Sequence, residues 1–220
     1  MDNDIKESVQ SIKRIVQNDN NDEVRKRAIQ ALVFFKDPGA GSIIASVVKE
    51  GKKDLSLAAI KALRELKYSS AAGPLSDMLL RDTDDELKAA IIDALANFGR
   101  AGNIEGLQHI ITKDGDPGLR IRAVYALGEV AEERNTMDIL IAALSDSDYR
   151  VRGEVCSAMG KIRKNRPSQL LLTQIKKDNS RYVRSAALYS IERIKDGKDL
   201  IPLFDIYSVE RDPVFREMLK

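Results

Sequence analysis

The sequence predicts an all-α chain, an α-α superhelix (a solenoid) of about seven helical hairpins with a 31–32-residue period. Three observations carry this. Six similar segments end on Leu32, Leu63, Leu95, Leu127, Met159 and Ile191, spaced 31, 32, 32, 32 and 32 apart. A period held this long marks stacked supersecondary units. Within each segment the apolar positions fall at i, i+4, i+7 and i+8 (Val24, Ala28, Ala31 and Leu32 in the first), one face of a helix. Composition agrees: 43% of residues are hydrophobic, only 5% are aromatic and Trp is absent, while the abundant Ala and Leu are strong helix formers.

Taken in order, the repeats span approximately 4–37, 38–69, 70–101, 102–133, 134–165, 166–197 and 198–220, as one domain over 1–220. Each reads as a helix A followed by a helix B. The first A helix carries Lys6, Ser8, Lys13, Arg14 and Gln17 on a polar face, which suits the end of a stack. The B helices contain "EVRKRAIQAL", "DLSLAAIKAL", "ELKAAIIDAL", "GLRIRAVYAL", "RVRGEVCSAM" and "YVRSAALYSI", and "VFREMLK" begins a seventh. Repeat two departs from the others, with Lys52 and Ser56 where they place Asp and Arg. The A helices have their own apolar row, Leu75, Leu107, Ile139, Leu171 and Leu203. Small residues at i+7 (Ala31, Ala62, Ala94, Ala126, Ala158, Ser190) let neighbouring helices approach closely. Stretches such as "KDPGAGS", "SSAAGP" and "KNRPS" separate the hairpins, and "DTDD", "DGDPG", "DSD" and "RDP" place a capping Asp before a B helix. One hairpin cannot bury its apolar face alone, so stacking supplies the core.

The net charge of +2 conceals an uneven distribution. Residues 81–148 hold 7 Lys/Arg against 14 Asp/Glu, a local net of −7, while residues 161–198 hold 11 against 3, a local net of +8. A single cysteine forms no internal disulfide, which suits a reducing compartment. The N-terminus lacks the apolar block of a signal peptide, and no run approaches the roughly 18 apolar residues of a membrane span. The expectation is a cytoplasmic protein that neither enters a membrane nor carries a cofactor or metal. Phosphate loops, nucleophile elbows and zinc spacings are missing from the sequence.

Several residues invite a chemical reading. Cys156 lies in a row with Ile29, Ile60, Ile92, Val124 and Leu188, all aliphatic, which makes it a small core residue rather than a nucleophile. His109 is the only histidine, too isolated for a metal site. Arg25, Arg120, Arg152, Arg184 and Arg216, with Lys88 in the same register, recur once per repeat. Periodic placement argues for a structural ladder, because an active site need occur only once. The run "KIRKNRPSQ" (161–169), joined by Lys176, Lys177, Arg181, Arg184, Arg193 and Lys195, is a basic stretch of the kind that meets nucleic acid. Two B-helix rows vary in character instead of repeating. They contain Tyr125 and Tyr189, large amphipathic groups suited to anchoring an interface, and Glu129, Lys161 and Arg193.

The string "DPGLRIRAVYALGEVAEERNTMDILIAALSDSDYRVRGEVCSAMGKI" (Asp116–Ile162) resembles two consecutive HEAT repeats. Its Asp-x-x-Val-Arg-x-x-Ala-x-x-Ala-Leu-Gly pattern is similar to the short prokaryotic type named after phycobilisome lyases. The resemblance covers nearly the whole chain and implies a HEAT-like solenoid whose B helices line a concave face. It also implies that the ladder arginines bond an Asp of an adjacent turn, here Asp84, Asp116, Asp148 or Asp212. Di-iron hydroxylases of this kind need repeated His-Glu pairs, and Ile110 follows His109. DNA glycosylases of this kind use tryptophan, which is absent here. The expected function is a non-catalytic scaffold that binds a partner protein on the concave face through Tyr125, Tyr189, Glu129, Lys161 and Arg193. The alternatives are a bilin-lyase subunit acting with a related partner, as the family name implies, and nucleic-acid binding through residues 161–198.

Overall fold

The computed structural model describes residues 3–37, 39–81, 84–99, 104–130, 134–162, 167–194 and 200–219. Among them every regular element is helical, and none is a strand. The A helices are α1 (Asn3–Asn18), α3 (Ala40–Val48), α5 (Ala72–Leu79), α7 (Ile104–Lys113), α9 (Arg134–Ala143), α11 (Ser168–Lys177) and α13 (Leu200–Val209). The B helices that follow them are α2 (Asp22–Phe35), α4 (Lys53–Glu65), α6 (Asp85–Phe98), α8 (Pro117–Val130), α10 (Tyr149–Lys161), α12 (Arg181–Ile194) and α14 (Pro213–Met218). A short 3₁₀ turn, Ser69–Ala71, leads into α5.

The helix starts follow from side chains that satisfy the otherwise orphaned first N–H groups. Asn21 accepts from the N–H of Glu23 at 2.9 Å and opens α2. Asp84 does the same for Glu86 at 3.0 Å, Asp116 for Gly118 at 2.8 Å, Asp148 for Arg150 at 2.8 Å and Asp212 for Val214 at 3.1 Å. Repeat two departs as its sequence leads one to expect: Lys52 precedes α4 and gives no side-chain cap. Helix α2 ends on Lys36 and α6 on Gly99, with φ of 49° and 58°. The left-handed turn is free for the glycine and strained for the lysine.

The chain divides into two compact units, Met1–Gly106 and Leu107–Lys220, with the division inside α7. In the first unit α2 packs on α4 and α4 on α6, with α1, α3 and α5 laid against them. In the second, α8, α10 and α12 stack in order, α12 continues onto α14, and α9 and α11 pack behind. The periodic apolar rows form the core in both. Leu32, Leu63, Leu95, Leu127 and Met159 are each 0% exposed and Ile191 is 3% exposed. Burying such a side chain stabilises by roughly 1.5–3 kcal/mol, so the period is itself the stabilising pattern. Val24 departs from its row: it is exposed, while Arg25 beside it is buried and donates to the Val16 carbonyl at 2.8 Å. The small row brings helices close. A Cβ on Gly160 would meet Ser190 at 2.7 Å, and one on Gly128 would meet Ala158 at 3.1 Å.

Candidate functional site

The arginine ladder is a set of forks, and it corrects the expected pairing. Arg120 gives Nε to Asp146 at 2.8 Å and a second N–H to its other oxygen at 2.9 Å, and also bonds the carbonyl of Asp114 at 3.0 Å. Arg152 repeats this with Asp178, at 2.7 and 3.0 Å, and with the carbonyl of Asp146 at 2.8 Å. Arg25 forks onto Glu50. The acids are therefore Asp146 and Asp178, each three residues before a B helix, and not Asp116 or Asp148. The cap acids are engaged elsewhere. Asp116 and Asp148 accept from the helices they open, and Asp148 also holds the Arg150 side chain, so its carboxyl falls to about 2. Asp84 pairs with Lys53 at 3.0 Å. Only Asp212 combines the roles, capping α14 while meeting Arg184 at 3.2 Å and Arg181 at 2.7 Å. Glu210, in the Asp146 register but one methylene longer, approaches Arg184 only to 4.0 Å. Arg216 stacks over the Tyr207 ring at 4.8 Å. Burial pushes Asp146 and Asp178 up, yet the arginine forks and the N–H groups of Asp148 and Ser180 outweigh it, and both carboxyls lie below their ordinary value. The sequence signal for these acids was available, since Asp114, Asp146, Asp178 and Glu210 are 32 apart.

Cys156 is 0% exposed, and burial pushes its thiol up to about 12. It stays protonated at neutral pH and cannot act as a nucleophile there. His109 is half-buried on α7. Of the basic stretch, residues 163–166 and 195 lie outside the described residues. Within the rest, Arg181 and Arg184 are held by Asp212, and Lys176, Lys177, Arg181 and Arg193 are exposed.

The five residues expected to meet a partner fall into two groups on the B helices of the second unit. Tyr125 and Glu129 sit on α8, four residues apart and hence on one face. Lys161, the last residue of α10, bridges them: its Nζ lies 2.6 Å from Glu129 and 4.2 Å over the Tyr125 ring. Tyr189 and Arg193 share the corresponding face of α12, both exposed, with no hydrogen bond or ion pair among the described residues. Tyr125 is 48% exposed and Tyr189 60%. Between them on α10 lie Ser157 and, one turn earlier, Glu154. Sequence reasoning passed over Glu154. It is half-buried and forms no hydrogen bond or ion pair among the described residues. Burial pushes its carboxyl up, Lys161 draws it back and Glu129 adds to the rise. The first unit has a related but different surface. There Gln30, Lys61 and Glu65 line an open groove of about 390 Å³ between α2 and α4, and Phe34 is 81% exposed.

Comparison with known proteins gives a consistent result. The family model for HEAT repeats matches residues 9–96 and 104–218. Among solved structures, an engineered protein (Northeast Structural Genomics Consortium target OR329) is 17% identical, with a TM-score of 0.57 over 86% of this chain and 96% of that one. A second engineered protein, target OR497, is 18% identical, with a TM-score of 0.56 over 96% of this chain and 66% of that one. Human deoxyhypusine hydroxylase in complex with glycerol aligns at 17% identity and a TM-score of 0.46, over 97% of this chain and 94% of that one. No curated protein matches the sequence. With the repeat, the stacked hairpins and the family match in agreement, the chain belongs to the HEAT-repeat family.

Proposed function

We propose that the chain is a non-catalytic scaffold that docks a partner protein on the B-helix face of its second unit. The observation that carries this is the contrast between rows. Residues that repeat with the period enter the core or the ladder, whereas the non-periodic Tyr125 and Tyr189 remain 48% and 60% exposed on the two layers that flank α10. Large aromatic side chains held in solvent by a rigid scaffold are the usual anchors of an interface. Lys161 and Glu129 add a charged rim beside Tyr125. The side chains with the most chemical appearance support a non-catalytic role, since Cys156 is a buried neutral thiol and the ladder arginines are saturated by carboxylates and carbonyls. Among the described residues no helix is long and apolar enough to cross a membrane.

Affinity capture with the purified chain tests the reading, set against a variant carrying Tyr125→Ala, Lys161→Glu and Tyr189→Ala. The variant is expected to keep its helical circular dichroism, because Tyr125 and Tyr189 are exposed and Lys161 is the last residue of α10, and to lose the captured protein. A folded variant that retains every captured protein contradicts the assignment.

A further inference from the structure

Glu154 is out of keeping with its surroundings. Its equivalents in the other B helices are Arg27, Ala58, Ala90, Arg122, Ala186 and Met218, so no other repeat places an acid there. The carboxylates around it in the second unit hold cations: Asp146 has Arg120, Asp178 has Arg152, Asp212 has Arg181 and Glu129 has Lys161. Glu154 has none among the described residues, although most of its surface is removed from water. Lys161, two turns along the same helix, is the cation whose charge reaches it, and it is committed to Glu129 and the Tyr125 ring, while Arg150, one turn back, is held by Asp148. A half-buried carboxylate without a partner loses solvation and gains nothing in return.

The side chains beside it on α10 and α12 are small, and the matching position on α8 is Arg122. Ser157, one turn on, is small and turns its hydroxyl back to the Gly153 carbonyl at 3.2 Å. Ala186 occupies the matching position on α12. Tyr125 and Tyr189 stand in the Ser157 row on the flanking helices, so the small residues form a floor with an aromatic group on either side. Lys161 already covers the Tyr125 ring, whereas no cation covers that of Tyr189 among the described residues.

Resting on the docking reading above, we infer that the partner inserts an arginine side chain between the two tyrosines, pairs it with Glu154 and stacks it on Tyr189. Guanidinium satisfies each part of the site at once. Its planar fork matches a carboxylate, its face stacks on an aromatic ring, and its weak hydration lowers the cost of entering a half-buried slot. A lysine would pair with Glu154 but match the ring less well, and an acidic or apolar group would leave the carboxylate uncompensated.

The test is selection from a random-peptide display library on the immobilised full chain, keeping peptides whose binding is lost on the Tyr125→Ala, Tyr189→Ala variant. These peptides are expected to share an arginine at one position. Fluorescence anisotropy should show Glu154→Gln weakening them by about tenfold or more. Replacing that arginine by norleucine should weaken them similarly, and the two changes together should cost little beyond either alone. Circular dichroism and Tm establish that the near-isosteric Glu154→Gln chain is folded. Tyrosine-dependent peptides that lack a shared arginine, or that bind the Glu154→Gln chain unchanged, overturn the arginine inference and leave the docking reading standing. A library that yields no tyrosine-dependent peptide overturns both.

Discussion

Arg152 makes four hydrogen bonds, two to the Asp178 carboxylate and two to the carbonyls of Asp146 and Ser147. One side chain thereby ties a B helix to the turn of its own repeat and to the turn of the next. Both partners are mostly buried, so removing one leaves the other uncompensated. Arg152→Ala should destabilise by roughly 2–4 kcal/mol, read from denaturant midpoints. The pH dependence has a definite sign. Asp178 titrates lower in the folded chain than in the unfolded one, so its contribution is present above the unfolded value near 4 and is lost as pH falls through the lowered folded value. Asp178→Asn should flatten the fall of Tm between about pH 5 and pH 2. The sequence made the arginines legible but misplaced their acids, because Asp146 and Asp148 are two residues apart and both resemble caps. The backbone decides which one faces the fork. Ser190 gives a smaller test at the same scale. Its hydroxyl is buried with no hydrogen-bond partner among the described residues, at a position that is alanine in its five sister repeats. Ser190→Ala should therefore stabilise by up to about 1 kcal/mol, seen as a Tm increase.

Helix spacing turns these residue effects into element effects. A Cβ on Gly106 would lie 2.5 Å from the backbone carbonyl of Ser76, which α5 holds in place. A Cβ on Gly153 would lie 2.3 Å from the Tyr182 ring, but that residue is 53% exposed and can turn outward. Both substitutions overpack, yet only the second has somewhere to send the clash. Gly106→Ala should cost about 1–3 kcal/mol and Gly153→Ala less, a ranking that paired thermal melts decide. The elements themselves were largely legible. The apolar period placed the B helices and the punctuation placed their caps, including the missing cap at Lys52. Less legible was the rotation of α2, which exposes Val24 and buries Arg25. That rotation depends on the Val16 carbonyl and on Glu50, partners far away in sequence.

Across the whole chain, one periodic pattern supplies the fold, and departures from it supply the candidate site. Tyr125, Glu129 and Lys161 were legible as a group because residues one repeat apart stack side by side, and the structure brings them into contact. Glu154 was not legible. In the sequence it is an ordinary acid on a helix surface, and only the packing of α8 and α12 around α10 makes it half-buried and unpaired. The charge asymmetry was also read in part only. Its basic stretch contains Arg181 and Arg184, which Asp212 holds, so fewer charges are unpaired there than the count implies. The most direct measurement is the calorimetric affinity of the wild-type chain for a protein it captures, compared with Tyr125→Ala and Tyr189→Ala singly. Docking on this face requires each substitution to weaken binding by about tenfold or more while Tm stays nearly constant. Affinities unchanged within about twofold for both variants, a difference of under 0.5 kcal/mol, contradict it.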